Sequence, residues 1–285
     1  HILEEDVPSY IMGVEAAKLA IQDAGLTPAD IDLIIATTEA PDYLTPSMSC
    51  LIQRHIHADN AAAIDLNAAC TGFVYALTTA KQFIQTGYYR NVLIVSNEGL
   101  SRIVDWKDRN TCILFGDAAG AVVLGRTTPQ YGIRESYIAS FGNLGHNLTI
   151  PCCFVSEEDR EKRPGGMERT VWQDGSEVFT FAVRAMTDAT RKVIDAAGIT
   201  IDEVDLVIPH QANIRIISGA AKRLNLNEEK IAVVLQDTGN ISSSSIPVAL
   251  DISAANGRLK AGDTIVMVAF GGGLTLGSCL MIWGK

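Results

Sequence analysis

Short apolar runs alternate with segments of helical periodicity along most of the chain. The run 61–66 has the composition of a buried strand. Four apolar residues then share one face of a predicted helix: Phe73, Leu77, Ala80 and Ile84. Gly87 predicts the end of that helix. Because the strands are apolar throughout and alternate with helices, we expect largely parallel sheets that are covered on both faces.

One helix–glycine–strand pattern occurs twice. Gly25 and Asp32 in the first copy correspond to Gly198 and Asp205 in the second, each 173 positions further along. The same offset relates further pairs: Asn67 with Asn240, residues 92–95 with 265–268, and Gly99 with Gly272. A constant offset over this length indicates a duplicated unit. We therefore predict a layered α/β fold of two halves, residues 1–130 and 131–285, related by a pseudo-twofold axis.

The least regular part of the chain, residues 142–175, lies between the repeated segments. It contains the glycines Gly142, Gly145, Gly165 and Gly166 and a charged run, 157–163. Long excursions of this kind in compact proteins are often lids or binding loops. A solvated surface loop is an equally good interpretation of the charged run.

Composition and charge exclude several classes of protein. The net charge is −10, from 23 Lys and Arg against 33 Asp and Glu, which argues against a nucleic-acid-binding protein. Apolar residues make up 47% of the chain, yet no apolar run reaches the roughly 18 residues of a membrane-spanning helix. The first residues have neither the basic nor the apolar region of a signal peptide.

The six cysteines do not have the spacing of a metal site or of a disulfide framework. Cys112 and Cys279 lie in runs that resemble strands, and Cys152 and Cys153 are adjacent. A reducing, cytoplasmic environment fits this pattern best.

Cys70 differs from the other cysteines because it lies where a predicted buried strand meets the start of a helix. Unpaired N–H groups and the positive end of the helix dipole favour a thiolate there. Its neighbours, Ala68, Ala69, Thr71 and Gly72, are small and leave room for a substrate. The alternative is that Cys70 is simply a small buried apolar residue.

The two copies differ in chemistry at their strand-to-helix junctions. His210 occupies the strand-end position that Thr37 has in the first copy, and Ser243 stands where the first copy has Cys70. Asn240 lies just before Ser243. Since ligand sites in parallel α/β sheets lie beyond the carboxyl ends of strands, a pseudo-twofold axis would bring these junctions together.

Gly271, Gly272 and Gly273 add a fourth element to this predicted site. Consecutive glycines let the backbone approach closely, so that its N–H groups can face an oxyanion. Taken singly, His210 could be structural, Asn240 could serve only a turn, and the glycines could form only a tight turn. Their shared location in the repeat favours a functional site.

Five motifs resemble the thiolase superfamily and, within it, β-ketoacyl-acyl-carrier-protein synthase III. They cover nearly the whole chain: Ala68-Ala69-Cys70-Thr71-Gly72-Phe73, Phe115-Gly116-Asp117-Ala118-Ala119-Gly120-Ala121, Pro209-His210-Gln211-Ala212-Asn213-Ile214-Arg215-Ile216, Gly239-Asn240-Ile241-Ser242-Ser243-Ser244-Ser245-Ile246-Pro247 and Phe270-Gly271-Gly272-Gly273-Leu274. Cys279 lacks the sequence around the second reactive cysteine of thiolases. The resemblance implies a thiolase-like αβαβα fold.

The resemblance implies a Claisen condensation in two stages. Cys70 takes an acyl group from acyl-CoA, and malonyl-acyl-carrier protein then loses CO₂ and attacks the acyl-cysteine. His210 and Asn240 would donate hydrogen bonds to the thioester oxygen during decarboxylation. The backbone N–H groups of Cys70 and Gly272 would form the oxyanion hole, and no metal or redox cofactor would be required.

The resemblance also implies binding partners. Arg109 matches a position that contacts CoA, and Arg215, Lys222 and Arg223 match the face that docks the acyl-carrier protein. An ordinary solvated helix face explains Lys222 and Arg223 equally well. We expect a homodimer in which Thr45 reaches the partner's acyl pocket; Phe270 is the other acyl-pocket residue.

Two departures from the family pattern affect these expectations. The family begins a few tens of residues before the position of His1, so we expect the printed chain to lack a first strand. Thr45 stands where the family usually has a larger apolar residue, which would suit a longer or branched starter. The alternatives are therefore an acyltransferase of secondary metabolism and a non-catalytic acyl-binding homologue; the intact set of Cys70, His210 and Asn240 argues against the latter.

Overall fold

The computed structural model describes residues 1–164 and 168–285, so Gly165 and Gly166 of the irregular segment lie outside the described residues. Within these ranges there are eight α-helices: α1 (Tyr10–Asp23), α2 (Met48–Ile56), α3 (Gly72–Gln85), α4 (Glu157–Glu161), α5 (Gly175–Ala197), α6 (Ile214–Leu224), α7 (Leu235–Thr238) and α8 (Ser245–Ala255). None of them is long and apolar enough to cross a membrane.

The same ranges contain ten β-strands: β1 (Leu33–Thr37), β2 (Ala62–Asp65), β3 (Val92–Gly99), β4 (Asp117–Leu124), β5 (Gly132–Ser140), β6 (Leu148–Thr149), β7 (Trp172–Gln173), β8 (Leu206–Pro209), β9 (Thr264–Gly271) and β10 (Thr275–Ile282). Eight of them form two four-stranded sheets, with the orders β2-β1-β3-β4 and β5-β10-β9-β8. The short strands β6 and β7 pair with each other.

Both sheets are mixed in direction. In the first, β1 is parallel to β2 and to β3, and β4 is antiparallel to β3. In the second, β8 and β9 are parallel, whereas β10 is antiparallel to both β9 and β5. The expectation of largely parallel sheets is therefore wrong for the second sheet. A continuous apolar run indicates burial on both faces, and it carries no information on strand direction.

The helices and sheets form five layers. Helices α3 and α8 lie between the two sheets and share one buried cluster with β1, β3, β8, β9 and β10. Helices α1 and α2 cover the outer face of the first sheet, and α5 and α6 cover the outer face of the second. This arrangement confirms the αβαβα fold, and it buries both faces of the central strands β1, β3 and β9.

The duplication extends to backbone conformation. Gly25 and Gly198 both have left-handed backbones after a helix, with φ of 67° and 69°. Ala69 and Ser242, 173 positions apart, are also left-handed, with φ of 50° and 45°. Each begins a short 3₁₀ turn that leads into one of the central helices, α3 or α8. The two central helices therefore start in the same way, with different side chains at the turn.

The offset of 173 does not hold through the whole repeat. Helices α2 and α6 end at His57 and Asn225, both left-handed, and these positions are 168 apart. The second copy therefore has five more residues between Asn225 and Asn240 than the first has between His57 and Asn67. These extra residues restore the offset before the turns that carry the candidate site residues.

Two local expectations are wrong. The strand that precedes Cys70, β2, is an edge strand, and Ala62, Ile64 and Asp65 are exposed. Its alanines are apolar but small, so its composition does not distinguish a buried strand from an exposed edge. Cys112 lies in a turn after an irregular segment and is only partly buried, whereas Cys279 lies in β10 and is buried as expected.

Candidate active site

Cys70 lies in the short 3₁₀ turn directly before α3, and its residue is 8% exposed. The side chain of Asn67 fixes this turn, because its Oδ1 accepts a hydrogen bond of 3.1 Å from the N–H of Ala69. The end of β9 passes close to the turn: a Cβ at Gly271 would lie 2.7 Å from the backbone nitrogen of Cys70. Only glycine permits that approach.

The Cys70 side chain faces a cavity of about 160 Å³. His210, Asn240, Phe270 and Gly271 also line it, so four elements from both halves meet there. The remaining walls are largely apolar and include Leu100, Ile103, Val104, Leu114, Phe115, Val178, Phe179 and Ile216. The cavity therefore surrounds a sulfur and a few polar groups with an apolar wall, which suits an acyl chain.

His210 follows β8 and is 1% exposed. Its Nδ1 lies 2.7 Å from the hydroxyl of Ser245, which also accepts a hydrogen bond from the N–H of Gln211. Because the hydroxyl proton of Ser245 is then available to Nδ1, we infer that the imidazole carries its own proton on Nε2. Burial lowers the pKa of His210 to about 3, so the ring is neutral at pH 7.

Asn240 is held by its backbone and by its side-chain oxygen. Its N–H donates to the carbonyl of Leu114 at 2.8 Å, and its carbonyl accepts from the N–H of Gly116 at 3.0 Å. Its Oδ1 accepts from the N–H of Ser242 at 2.9 Å. Since the oxygen end is occupied by the turn, the NH₂ end is the part available to the cavity.

Glu39, which the sequence interpretation missed, also lines the cavity. It lies two residues after β1, and its Oε1 is 3.5 Å from the sulfur of Cys70, which donates to it. The hydroxyl of Ser242 donates to the same oxygen. Its position just beyond a strand end was the available signal, since the other candidates were found at such junctions.

A second carboxyl group, Glu98 of β3, lies behind Glu39. Its Oε2 accepts the backbone N–H of Glu39 at 2.9 Å, and its Oε1 accepts the hydroxyl of Ser243 at 2.5 Å. Burial, and then the charge of Glu39, raise the pKa of Glu98 to about 8. Burial also raises the pKa of Glu39. Glu98 is the more deeply buried of the two, and its pKa of about 8 makes it largely neutral at pH 7.

The surroundings of Cys70 do not favour a resting thiolate. Burial raises the pKa of its thiol well above the ordinary value, and the negative charge of Glu39 raises it further. The expectation based on the helix start is therefore wrong in sign for the resting site. A neighbouring carboxylate that the sequence did not reveal adds to burial, and together they outweigh the helix N-terminus.

The irregular segment 142–175 has two parts with different roles. Leu148, Ile150, Val171 and Gln173 form one wall of the cavity, which fits the interpretation of these flanks as a binding loop. The charged helix α4 contains no buried residue, which agrees with a solvated surface. That interpretation is wrong for Arg163 at the end of the charged run, which is buried and donates to the carbonyl oxygens of Thr149 and Thr170.

The structure does not bring every predicted residue to the cavity. Gly271 lines it, with Gly272 adjoining. Arg109 and Thr45 are exposed and do not line it within this chain. Their assignments to CoA and to a partner's acyl pocket stay predictions.

The predicted docking residues lie on the surface of α6. Arg215, Lys222 and Arg223 are exposed. Arg191 of α5, which the sequence interpretation missed, donates to the carbonyl of Arg223 at 2.9 Å and adds a positive charge beside this face.

No group of three or more His, Cys, Asp or Glu side chains in the described ranges could hold a metal ion.

Comparison with known proteins places this site in a family. Residues 64–142 match the description 3-oxoacyl-[acyl-carrier-protein] synthase III, and residues 194–283 match the C-terminal part of the same family. The β-ketoacyl-[acyl-carrier-protein] synthase III 1 of Bacillus cereus is 45% identical over 284 residues, which cover 100% of this chain and 86% of that protein.

Solved structures of the same family have the same fold as this chain. The crystal structure of 3-oxoacyl-[acyl-carrier-protein] synthase III from Aquifex aeolicus has a TM-score of 0.92 and 41% identity, covering 99% of this chain and 87% of that one. The priming β-ketosynthase from the R1128 polyketide biosynthetic pathway has a TM-score of 0.91 and 34% identity, covering 100% and 84%. The chain therefore belongs to the 3-oxoacyl-[acyl-carrier-protein] synthase III family, and it is a condensing enzyme of the acyltransferase class.

Proposed function

We propose that this enzyme catalyses the initiating condensation of type II fatty-acid synthesis. A short acyl-CoA, with acetyl-CoA as the expected starter, reacts with malonyl-acyl-carrier protein to give 3-ketoacyl-acyl-carrier protein, CoA and CO₂. The observation that carries the proposal is the meeting of Cys70, His210 and Asn240 in one largely apolar cavity. A nucleophilic sulfur and two neutral donors are the groups that the two stages require.

The first stage transfers the acyl group to Cys70. The sulfur attacks the thioester carbonyl, and the resulting oxyanion is held by the N–H groups of Cys70 and Gly272. The close approach of β9 to the Cys70 turn supports this placement of the two donors. CoA leaves, and the acyl-cysteine remains in the cavity.

The second stage decarboxylates the malonyl group. Loss of CO₂ places negative charge on the thioester oxygen, and the enolate carbon then attacks the acyl-cysteine. In this proposal Nε2–H of His210 and the NH₂ of Asn240 stabilise that oxygen, and both residues line the cavity. Neutral donors suit this step, since a cationic donor would be costly to hold in the apolar cavity. One such donor is typically worth ~3 kcal/mol.

The cavity has room for a short starter. An apolar cavity of about 150 Å³ is large enough for benzene, and the cavity beside Cys70 measures about 160 Å³. The second candidate function is priming of a polyketide or other secondary metabolite with a longer or branched acyl group. The similarity to the R1128 priming enzyme favours it, as does the small side chain of Thr45.

The proposed partners are CoA, the acyl-carrier protein and a second copy of the chain. The protein has a net charge of −10, so an acidic carrier protein would need a locally positive surface to bind. The exposed face of α6 with Arg215, Lys222 and Arg223 would provide that surface. Arg109 would contact CoA, and Thr45 would complete the acyl pocket across a homodimer. The chemistry calls for no metal or redox cofactor, and we place the enzyme in the cytoplasm.

Intact-mass measurement after mixing with acetyl-, isobutyryl- or hexanoyl-CoA tests the proposal. We expect an acetyl adduct on Cys70, none on Cys70→Ser, and release of CO₂ and product when malonyl-acyl-carrier protein is added. A preference for isobutyryl- or hexanoyl-CoA would support the secondary-metabolite function instead. Absence of any adduct, or labelling of the Cys70→Ser variant, would overturn the assignment.

A further inference from the structure

The carboxyl group of Glu39 has no part in the two-stage scheme, yet it is the acidic side chain that touches the nucleophile. Its Oε1 lies 3.5 Å from the sulfur of Cys70 and accepts the thiol proton in a hydrogen bond. Of the described residues that line the cavity, Glu39 alone carries a carboxyl group. A buried carboxylate beside a buried thiol raises the free energy of the thiolate, so this contact needs a reason other than stability.

We propose that Glu39 is the general base of the acyl-transfer stage: it takes the proton from Cys70 and delivers it to the sulfur of the departing CoA. The inference rests on the proposed acyl transfer and adds a catalytic residue to it. It follows from the contact between the two side chains and from their shared place in the cavity.

Acyl transfer at this site requires a base because the thiol is protonated at rest. Burial and the charge of Glu39 both raise the pKa of Cys70. His210 is a poor candidate, since its Nδ1 is engaged with Ser245 and Nε2 carries the proton in the tautomer inferred above. Its pKa of about 3 also makes it a weak base. Among the groups that face the sulfur, Glu39 is the one with a free lone pair and a direct contact.

The neighbours of Glu39 keep it ready to accept a proton. Burial and the charge of Glu39 raise the pKa of Glu98 to about 8, so Glu98 is largely protonated at pH 7 and does not compete with Glu39 as a base. Ser242 donates to the reactive oxygen and holds its orientation. Burial raises the pKa of Glu39 above that of an ordinary glutamate, which makes it a stronger base.

The step balances in atoms and electrons. The S–H bond of Cys70 breaks as its proton moves to Oε1 of Glu39, and the sulfur forms a bond to the thioester carbon. The tetrahedral oxyanion collapses and breaks the bond to the CoA sulfur. That sulfur takes the proton from Glu39, so CoA leaves as a thiol and the carboxylate is restored.

Replacing the carboxylate of Glu39 by an amide distinguishes a general base from a group that only repels the Cys70 thiolate. We expect Glu39→Gln to slow single-turnover acylation by acetyl-CoA at pH 7 by about 100-fold. Wild-type acylation should rise with pH through the pKa of Glu39 and then level off. The variant should lack this acid limb and should recover only at alkaline pH, where the thiol ionises unaided.

The second stage supplies an internal control. Enzyme acylated by long incubation and then given malonyl-acyl-carrier protein should decarboxylate equally well with Glu or Gln at position 39, because that step uses His210 and Asn240. Glu15→Gln removes the same charge from the exposed face of α1 and should acylate like the wild type. The pH dependence of alkylation of Cys70 by iodoacetamide measures the ionisation of the thiol independently of acylation.

The opposite result would overturn the proposal. If Glu39 only repels the thiolate, Glu39→Gln will acylate as fast as the wild type or faster, and iodoacetamide will alkylate it faster at pH 7. If Glu39→Gln does not fold, Glu39→Asp keeps a carboxylate: it should acylate slowly and keep the acid limb, and loss of that limb would count against the base. Failure of the wild type to acylate would instead refute the proposed function.

Discussion

The hydroxyl of Thr37 donates a hydrogen bond of 3.0 Å to the hydroxyl of Ser243, two residues from opposite halves of the chain. In the duplicated fold Thr37 corresponds to His210, and Ser243 corresponds to Cys70. The pair is therefore the counterpart of the histidine and cysteine to which we assign the proposed catalysis. Thr37 also forms a hydrogen bond with the hydroxyl of Ser96, and the hydroxyl of Ser243 donates to Glu98. One of the two equivalent sites carries the proposed chemistry, and the other is a buried polar network.

That buried network gives the folded state a pH-dependent stability through Glu98. Its pKa is about 8 in the folded protein against an ordinary 4.5, so between these values the folded state binds more protons than the unfolded state. The stabilisation is present below pH 4.5 and is lost as the pH rises through 8. The slope is on the order of 1 kcal/mol per pH unit.

Urea unfolding of the wild type and of Glu98→Gln across this pH range measures the effect. The amide does not titrate, so the free energy of unfolding of the wild type should fall relative to that of the variant as the pH rises. Two curves that stay parallel would show that Glu98 is already ionised in the folded protein.

Ser245 positions His210, so its loss should affect only the second stage. Ser245→Ala removes the hydrogen bond to Nδ1 of His210, which contributes about 1.5 kcal/mol to holding the imidazole in its orientation. We expect the rate of malonyl decarboxylation to fall about tenfold as a result. Acylation of Cys70 should be unchanged. Stopped-flow assays of the two half-reactions check this. Ser253→Ala removes a buried hydroxyl from the same helix, bonded only to Ala249, and should leave both half-reactions alone.

Asn240→Ala removes the donor that we propose to act directly on the developing charge. We expect decarboxylation to fall by about 100-fold or more, which corresponds to ~3 kcal/mol, while acylation of Cys70 persists. Radiolabelled CO₂ release measures it. Asn227→Ala is the matched control, since it removes the same kind of turn hydrogen bond from an exposed turn outside the cavity. Equal decarboxylation by the two variants would show that Asn240 serves only its turn.

Charge reversal on α6 tests docking of the carrier protein. Lys222→Glu combined with Arg223→Glu should raise the KM for malonyl-acyl-carrier protein about tenfold at low salt, because like charges would then oppose each other. The acylation rate with acetyl-CoA should not change. Lys18→Glu on the exposed face of α1 makes a similar change of charge elsewhere. An unaltered KM would show that Lys222 and Arg223 do not bind the carrier protein and belong to an ordinary solvated helix face.

The repeat allowed much of this site to be located from sequence. Cys70 and His210 were identified because their counterparts, Ser243 and Thr37, carry different side chains, and Asn240 was identified because its turn lies at the same kind of junction. Glu39 was missed, because its counterpart is Ala212 and no motif includes it. The raised pKa of Cys70 could not be foreseen either, since it depends on burial and on a charge that reaches the sulfur through space. The exposure of β2 and the direction of β10 likewise depend on tertiary pairing.

The turns before α3 and α8 each use only one end of an asparagine side chain. In both copies Oδ1 holds the backbone two residues later, Asn67 with Ala69 and Asn240 with Ser242. In both, the NH₂ end is not needed by the turn. Of the two amides, that of Asn240 belongs to a residue that lines the cavity, whereas Asn67 is not among the described residues that line it. A substitution at position 240 is therefore constrained twice, because it must keep the turn as well as the proposed donor.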